Sequence, residues 1–308
     1  MAFYLVAFGL ALHVLLWGAG LAALVVPRPW RRFWPVFCAP AGLGLQSAVV
    51  WAGAYSGLAG TDVYGRWSEL VPVALLAWAV RRGAVAGVAW RRLGGLGLVT
   101  AGCLALLVHP LAHASRYLTT ASLGSCDAAD YAAGARVLQE FSRGDRSGFL
   151  GLTEVVQVAS VDNFFDFWLR LNHFTPSALI ALNGAVAGLQ GYQIIGLLTA
   201  VLLALSLPLV YWLARTVLRC PAGGSLWLAA IYGLAPATWY AVAQVAIGQL
   251  LAAQAIALLT WAGICLWRRF SWRRAAALAP LLFLAYWLVL GSYNFIVLVC
   301  LVPAAAYA

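Results

Sequence analysis

The sequence predicts an all-α polytopic membrane protein, and three observations lead to this class. Hydrophobic residues make up 64% of the 308 residues and charged residues only 9%, whereas about 25% of the residues of a soluble domain are charged. The mean hydropathy is +0.90. Apolar runs of about 20 residues, the length of a helix that crosses a bilayer, recur along the chain with arginine pairs between them.

We expect about nine spans. A helix that rises 1.5 Å per residue needs about 20 apolar residues to cross about 30 Å of hydrocarbon. Eight runs are near this length, and a shorter ninth run is flanked by Glu69 and Arg81, whose side chains can reach towards the interfaces. The predicted spans are residues 2–26, 35–58, 70–80, 94–115, 191–214, 225–241, 247–267, 275–291 and 293–308. The first run has no basic leader and is too long for a signal peptide, so we expect it to stay uncleaved.

The basic residues, which are all arginines, predict the orientation. Thirteen of the nineteen fall at alternate ends of the predicted spans, and the positive-inside rule makes those ends cytoplasmic. All nine acidic residues fall on the opposite face. The N-terminus and the loop of residues 116–174 are therefore expected outside the cytoplasm. Because the net charge of +10 is distributed in this way, it orients the bundle, and we expect no nucleic-acid partner.

The alternation of the arginine-bearing ends also bears on a short apolar segment. Residues 175–189 are apolar but short, and counting them as a span would place Arg215 and Arg219 outside, so we expect an interfacial or re-entrant helix. The chain ends at Ala308 inside an apolar run, so we expect that the C-terminus is truncated or that further helices follow.

The six cysteines are spread singly, which argues against a disulfide framework.

The outer loop concentrates the acids, because seven of the nine lie between Asp127 and Asp166. The spacing predicts an amphipathic helix over 128–141, with Ser125 or Asp127 as its cap and an apolar face every third or fourth residue: Tyr131, Ala135, Leu138 and Phe141. A second amphipathic segment is predicted over 155–171, and its aromatic residues suit the membrane interface.

Asp127 and Asp130 lie three residues apart and therefore share a face of the predicted helix. Such a pair can act as a general base with an orienting or metal-binding partner. The alternative is that Asp127 caps the helix and Asp130 is a solvated acid that the helix dipole favours. The residues alone leave both interpretations open.

Other polar residues are candidates for binding. Arg136, Arg143, Arg146 and Arg170 could stabilise a phosphate or could simply be solvated, and we favour Arg136 because it shares a helix with Asp127. His109 and His113 have metal-ligand spacing, with His173 at the far end of the loop, although ordinary interfacial histidines are the more common case. Tyr240, Gln244 and Gln249 could line a cavity or join helices. The full set of predicted substrate contacts is Tyr131, Arg136, Trp168, Asn172, His173, Tyr240, Gln244 and Gln249.

The layout of residues 94–290 resembles the GT-C glycosyltransferases that use polyprenyl-phosphate sugars, such as protein mannosyltransferases and aminoarabinose transferases. A span ends outside and is followed by CDAADYAAGAR (126–136), by HFTPSALIALNGAVAGL (173–189) and by LLTAVLLALSLPLVYWLARTVLR (197–219). The resemblance covers two thirds of the chain and rests on layout. The sequence departs from the family in the three spans that precede the core, in HFTP instead of His/Tyr-Pro-Pro-Leu, and in the missing C-terminal part.

The resemblance implies extra helices over 1–93 and a GT-C-like core over 94–308. It implies an inverting transferase of a bacterial inner membrane, with a lipid-linked sugar donor, contact with membrane lipid and an acceptor in the cell envelope. Asp127 would be the general base, and Asp130 would orient the acceptor or help to hold Mg²⁺ or Mn²⁺, with His113 as a weaker ligand candidate. The alternatives are an O-antigen polymerase or ligase and a transporter or flippase; the last needs ionisable residues inside the spans, and His13 is the only one in the first run.

Overall fold

The computed structural model describes residues 1–124, 126–143, 165 and 174–293, and within these ranges it contains helices and no strands. The α-helices are α1 (Ala2–Val25), α2 (Cys38–Tyr55), α3 (Thr61–Tyr64), α4 (Leu70–Arg81), α5 (Trp90–Ala114), α6 (Cys126–Glu140), α7 (Phe174–Ala187), α8 (Gly191–Thr216), α9 (Ala222–Leu234), α10 (Pro236–Ala243), α11 (Ile247–Arg268) and α12 (Trp272–Leu290). Two 3₁₀ helices, Arg28–Phe37 and Trp67–Glu69, precede α2 and α4. The predicted all-α class is confirmed for this part of the chain.

Six helical segments are long and apolar enough to cross a membrane, as expected of a polytopic membrane protein: Ala2–Val25, Arg28–Tyr55, Trp90–Ala114, Gly191–Thr216, Ile247–Arg268 and Trp272–Leu290. The helices α9 and α10 make a seventh if they are counted as one span bent by 43°. The count of nine stays a prediction, because α4 has only 12 residues and residues 294–308 lie outside the described ranges.

Helix α8 forms the centre of the bundle. In its most apolar stretch 89% of the residues are buried, and it packs against α1, α5, α9 and α11. The outer helices instead present leucines to the surroundings, since Leu5, Leu12 and Leu16 of α1 are 67%, 57% and 48% exposed. Apolar side chains that face outward in this way are stable in contact with lipid chains.

Helix α7 is buried from Phe174 to Gly184. Whether residues 175–189 form an interfacial or a re-entrant helix stays a prediction. At its N-terminus the Thr175 amide donates to the Gly291 carbonyl at 2.8 Å, and the Thr175 and Ser47 hydroxyls are 2.8 Å apart. Polar anchors therefore hold α7 against α2 and against the end of α12.

A second set of polar contacts holds the other half of α7. The Asn183 amide nitrogen donates to the Leu179 carbonyl at 2.8 Å and to Gln46 Oε1 at 3.1 Å. The Asn183 side-chain oxygen therefore faces His13 Nδ1 at 2.7 Å. Because an amide oxygen can only accept, His13 Nδ1 is the donor. His13 Nε2 lies 2.7 Å from Glu69 Oε1, and Glu69 also accepts from Trp17 Nε1 at 3.0 Å. We call these five side chains the His13 network.

The His13 network places a histidine–carboxylate contact against the middle of a long apolar helix. His13 lies at the midpoint of the 24-residue α1, and the Glu69 side chain that contacts it is 34% exposed. The sequence suggested that Glu69 reaches towards an interface, but the structure directs it to a histidine of a long apolar helix. His13 Nε2 and Glu69 Oε1 are 2.7 Å apart. Each of these atoms is only an acceptor when it carries no proton, so the contact requires a proton on one of them.

We expect Asn183→Leu to lower the stability of the fold, because the substitution removes the 2.7 Å acceptor of His13 Nδ1 and the donor to Gln46 Oε1. Stranding buried polar groups costs about 1–3 kcal/mol. The thermal unfolding midpoint in detergent measures the effect. Thr199→Val is the control, because the Thr199 hydroxyl bonds only within its own helix, to Ile195. Equal midpoints for the two variants would contradict the role given to Asn183.

Candidate functional site

Helix α6 carries the acidic motif and confirms the predicted periodicity. Tyr131, Ala135 and Leu138 are 1%, 0% and 3% exposed and face the bundle. The helix begins at Cys126, so Asp127 lies in its first turn and not at the capping position that one interpretation gave it. Ser125, the other predicted cap, lies outside the described residues.

The loop that leads into α6 is fastened to the bundle at two points. The Leu123 amide donates to the Ala243 carbonyl at the end of α10 at 3.0 Å. The Thr120 hydroxyl accepts from the Gly196 amide of α8, also at 3.0 Å. These bonds place the first turn of α6 beside the start of α11.

Four side chains meet there, and we call them the Asp127 cluster: Asp127, Tyr131, Gln249 and Tyr293. The Tyr293 hydroxyl donates to Asp127 Oδ2 at 2.9 Å and accepts from the Gln249 amide at 3.2 Å. Tyr131 is hydrogen-bonded to Tyr293. The cluster therefore joins α6, α11 and the turn after α12 around one carboxylate.

Tyr131 and Asp127 of the cluster differ in their burial. Burial raises the pKa of the Tyr131 phenol, and the neighbouring Tyr293, Asp127 and Asp130 raise it further. Tyr131 thus stays neutral at physiological pH and keeps its proton for hydrogen bonding. The Asp127 carboxylate is oriented by the Tyr293 phenol and is only half-buried, so it is accessible from outside the bundle.

A cavity of about 430 Å³ adjoins the cluster and is lined by Tyr240, Ala241, Gln244, Ala246 and Gln249. The Gln244 amide donates to the Tyr240 hydroxyl at 2.8 Å. Gln249 belongs to both the cavity and the Asp127 cluster. The volume is in the usual range for small-molecule sites, about 300–1,000 Å³, and amide and phenol groups suit a ligand rich in hydroxyls.

The structure therefore places several predicted residues together and separates others. Asp127, Tyr131 and Gln249 meet, with Tyr240 and Gln244 in the adjoining cavity. Asp130 is half-buried and close enough to raise the Tyr131 pKa. Predicted residues Arg146, Trp168, Arg170, Asn172 and His173 lie outside the described ranges.

Arg136 does not join the Asp127 cluster. It lies nine residues after Asp127, which places it about 180° around the helix and about 14 Å along it. Its guanidinium instead contacts Glu140 at 2.9 Å, on an exposed face where the Arg136 side chain is 66% exposed. Sharing a helix was therefore too weak a reason to pair Arg136 with Asp127.

The two histidines of α5 face each other away from the acids. The His109 and His113 rings are 4.3 Å apart, and the Tyr4 hydroxyl lies 2.9 Å from His109 Nδ1. In the described part of the chain, no group of three His, Cys, Asp or Glu side chains is arranged to hold a metal ion. A zinc site that unites these histidines with Asp127 or Asp130 is thus not formed by the described residues.

The sequence patterns did not predict two polar features of the structure. Tyr293 was assigned to the start of a span, although the GSYN sequence at 291–294 marks a polar break between apolar runs. The His13 network was missed because its members come from four separate segments. The detectable signal was His13 itself, the single ionisable side chain in the first apolar run.

Comparison of the chain with models of protein families, with curated proteins and with solved structures found no match. The GT-C resemblance therefore stays a prediction.

We expect Gly248→Ala to disturb the Asp127 cluster, because a methyl group there would lie 2.6 Å from Tyr293 Cε2 and 3.0 Å from the Tyr131 hydroxyl. Overpacking of this kind costs about 1–3 kcal/mol. The matched control is Gly263→Ala on the same helix, where an added methyl meets nothing within 4 Å; it should stabilise α11 by up to about 1 kcal/mol.

Thermal unfolding in detergent shows whether each variant raises or lowers the unfolding midpoint. The midpoint should fall for Gly248→Ala and rise or stay constant for Gly263→Ala. A rise of similar size in both variants would contradict the close packing of Gly248 against the two tyrosines.

Proposed function

We propose that the protein is an inverting membrane glycosyltransferase that moves a sugar from a polyprenyl-phosphate donor to an acceptor in the cell envelope. The observation that carries the proposal is the Asp127 carboxylate, which is held by Tyr293 at 2.9 Å next to a cavity of about 430 Å³ whose wall includes Tyr240, Gln244 and Gln249. A positioned carboxylate beside an apolar cavity with a few polar side chains in its wall is an arrangement that can bind a sugar acceptor and activate it.

The proposed reaction is a single displacement. The acceptor hydroxyl or amine gives its proton to Asp127 as its oxygen or nitrogen forms a bond to the anomeric carbon of the sugar. The bond between that carbon and the donor phosphate oxygen breaks, and the lipid phosphate leaves with the electron pair. Tyr293 and Tyr131 keep the carboxylate oriented, and Gln249 and Gln244 bind sugar hydroxyls from the cavity wall.

The leaving phosphate requires positive charge nearby. Arg136 lies on the opposite face of α6 from Asp127, so this charge would come instead from Arg143, Arg146 or Arg170, the other arginine candidates of the outer loop. Asp130, on the same helix as Asp127, would orient the acceptor or share a divalent cation such as Mg²⁺ with it.

The proposed location is a bacterial cytoplasmic membrane, with the N-terminus and the Asp127 cluster on the extracytoplasmic side. The distribution of arginines supports this orientation. Polyprenyl-phosphate sugars are membrane-bound donors, and a site at the end of a helical bundle suits a donor whose tail stays in the lipid.

The proposal predicts that Asp127→Asn lowers sugar transfer from a polyprenyl-phosphate donor by about 10²–10⁴-fold, the usual contribution of general-base catalysis. Purified full-length protein is incubated with a panel of polyprenyl-phosphate sugars and acceptors, and product is measured by mass spectrometry. Donor binding should be retained, because asparagine preserves the shape of the side chain. The control is Glu140→Gln on the same helix, which should transfer at nearly the wild-type rate.

Equal transfer by the wild type and Asp127→Asn would contradict the role of Asp127. Transfer by neither protein, with every donor in the panel, would contradict the glycosyltransferase proposal.

A transporter or flippase is the second candidate, and the His13–Glu69 pair favours it. Ionisable side chains in the middle of spanning helices often mark transport pathways, and His13 lies at the midpoint of α1, where Glu69 contacts it. In this case the Asp127 cavity would bind the lipid-linked sugar without reaction.

The second candidate predicts that Glu69→Gln slows the movement of a fluorescent polyprenyl-phosphate sugar across proteoliposome membranes by about tenfold or more, because the ion pair is lost. Asp62→Asn, at an exposed acid of the neighbouring α3, should leave the rate unchanged. Dithionite quenching of the outer leaflet measures the movement. Equal movement in protein-free liposomes would rule out this candidate.

A further inference from the structure

An apolar groove of about 460 Å³ runs along the outside of the bundle between α1, α5, α8 and the Arg28–Phe37 helix. We call it the α1–α5 groove. Its walls include Phe8 and Leu12 of α1, Leu93 and Leu104 of α5 and Pro208 of α8. Almost all of the lining surface is apolar, so a polar ligand would lose its hydration without compensation.

The floor of the groove is open because glycines form part of it. Gly94 and Gly97 of α5 line the groove, and a methyl group added at either position would meet nothing within 4 Å. Ala101 continues the same side of α5 one turn later. The groove therefore offers an open apolar surface along α5 from Trp90 to Leu104, which suits an extended hydrocarbon chain.

One end of the groove carries positive charge. Trp90 and Pro35 line this end, and four arginines lie next to them in the chain: Arg31, Arg32, Arg91 and Arg92. The two segments are joined by the Ala89 amide, which donates to the Arg32 carbonyl at 3.1 Å.

These arginines have no acidic partners in the part of the chain that the structure describes, where the ion pairs are His13–Glu69 and Arg136–Glu140. Arg32, Arg91 and Arg92 are exposed. The Arg31 Nε is buried without a hydrogen-bond partner among the described residues. The arginine end therefore has donors and charge that an anion can satisfy.

We propose that the α1–α5 groove binds one anionic glycerophospholipid from the leaflet at the arginine end. One acyl chain lies along Gly94 and Gly97, and the phosphate contacts the guanidinium groups of Arg31, Arg32, Arg91 and Arg92. Basic pockets beside spanning helices recognise anionic headgroups in this way, and the planar guanidinium suits phosphate oxygens.

This lipid site is separate from the Asp127 cluster. The arginine end lies at the start of α5, whereas the loop that carries Asp127 follows the end of α5 at Ala114. The site therefore does not depend on the proposed glycosyltransferase activity, and a variant that blocks it need not touch the cluster.

Photo-crosslinking tests the proposal on the purified full-length chain in nanodiscs. The probes are phosphatidylglycerol and phosphatidylcholine, each with a diazirine in one acyl chain, and labelled residues are mapped by mass spectrometry. Phosphatidylglycerol should label the groove residues of α1 and α5 about tenfold more than phosphatidylcholine, since each arginine near the headgroup strengthens binding several-fold.

Two matched variants separate a specific groove from general lipid contact. Gly97→Leu fills the groove and should remove most of the groove label. Gly102→Leu, on the same helix and also in open space, should keep it. Gly94→Leu is a second groove-filling variant, in case Gly97→Leu fails to fold. Arg91→Gln combined with Arg92→Gln should abolish the preference for phosphatidylglycerol.

Three results would overturn the proposal. The first is equal labelling of the groove by the two lipids in the wild type. The second is groove labelling that survives both Gly94→Leu and Gly97→Leu. The third is no groove label from either lipid together with a dimer in size-exclusion chromatography, which would make the groove a contact between copies.

Discussion

The structure depends on one constraint, which is that polar groups buried among apolar helices must be satisfied by other protein groups. Helix α7 shows this most directly, since it is buried from Phe174 to Gly184 and still carries Thr175 and Asn183 in its interior-facing surface. Thr175 bonds to Ser47 and to the backbone of Gly291, and Asn183 joins the His13 network. These bonds hold the bundle together around α7.

The same constraint connects the two polar regions of the molecule. Gly291, which accepts from the Thr175 amide, lies two residues before Tyr293, the phenol that donates to Asp127. The position of the Asp127 cluster thus depends on how α7 is seated, and the seating of α7 depends in turn on Asn183 and His13. The Asp127 carboxylate is in this way supported from the middle of the bundle.

Local sequence patterns predicted a large part of this arrangement, and long-range contacts account for what they missed. The spacing of Tyr131, Ala135 and Leu138 predicted the buried face of α6 because helical periodicity is a local property. Tyr293 follows Asp127 by 166 residues, and Glu69 follows His13 by 56, so packing alone brings these pairs together. The pairing of Arg136 with Asp127 was wrong for the opposite reason. The two residues lie on one correctly predicted helix, but their spacing places Arg136 on the face opposite to Asp127.

The central claim is that the Asp127 cluster and its cavity form a binding site for a lipid-linked sugar. A cryo-electron microscopy structure of the full-length protein with a non-transferable polyprenyl-phosphonate sugar tests it most directly. The account predicts density for the sugar between Gln244 and Gln249, with a hydroxyl or the anomeric carbon within about 4 Å of Asp127. An empty cavity at saturating ligand, or sugar density at the His13 network instead, would contradict it.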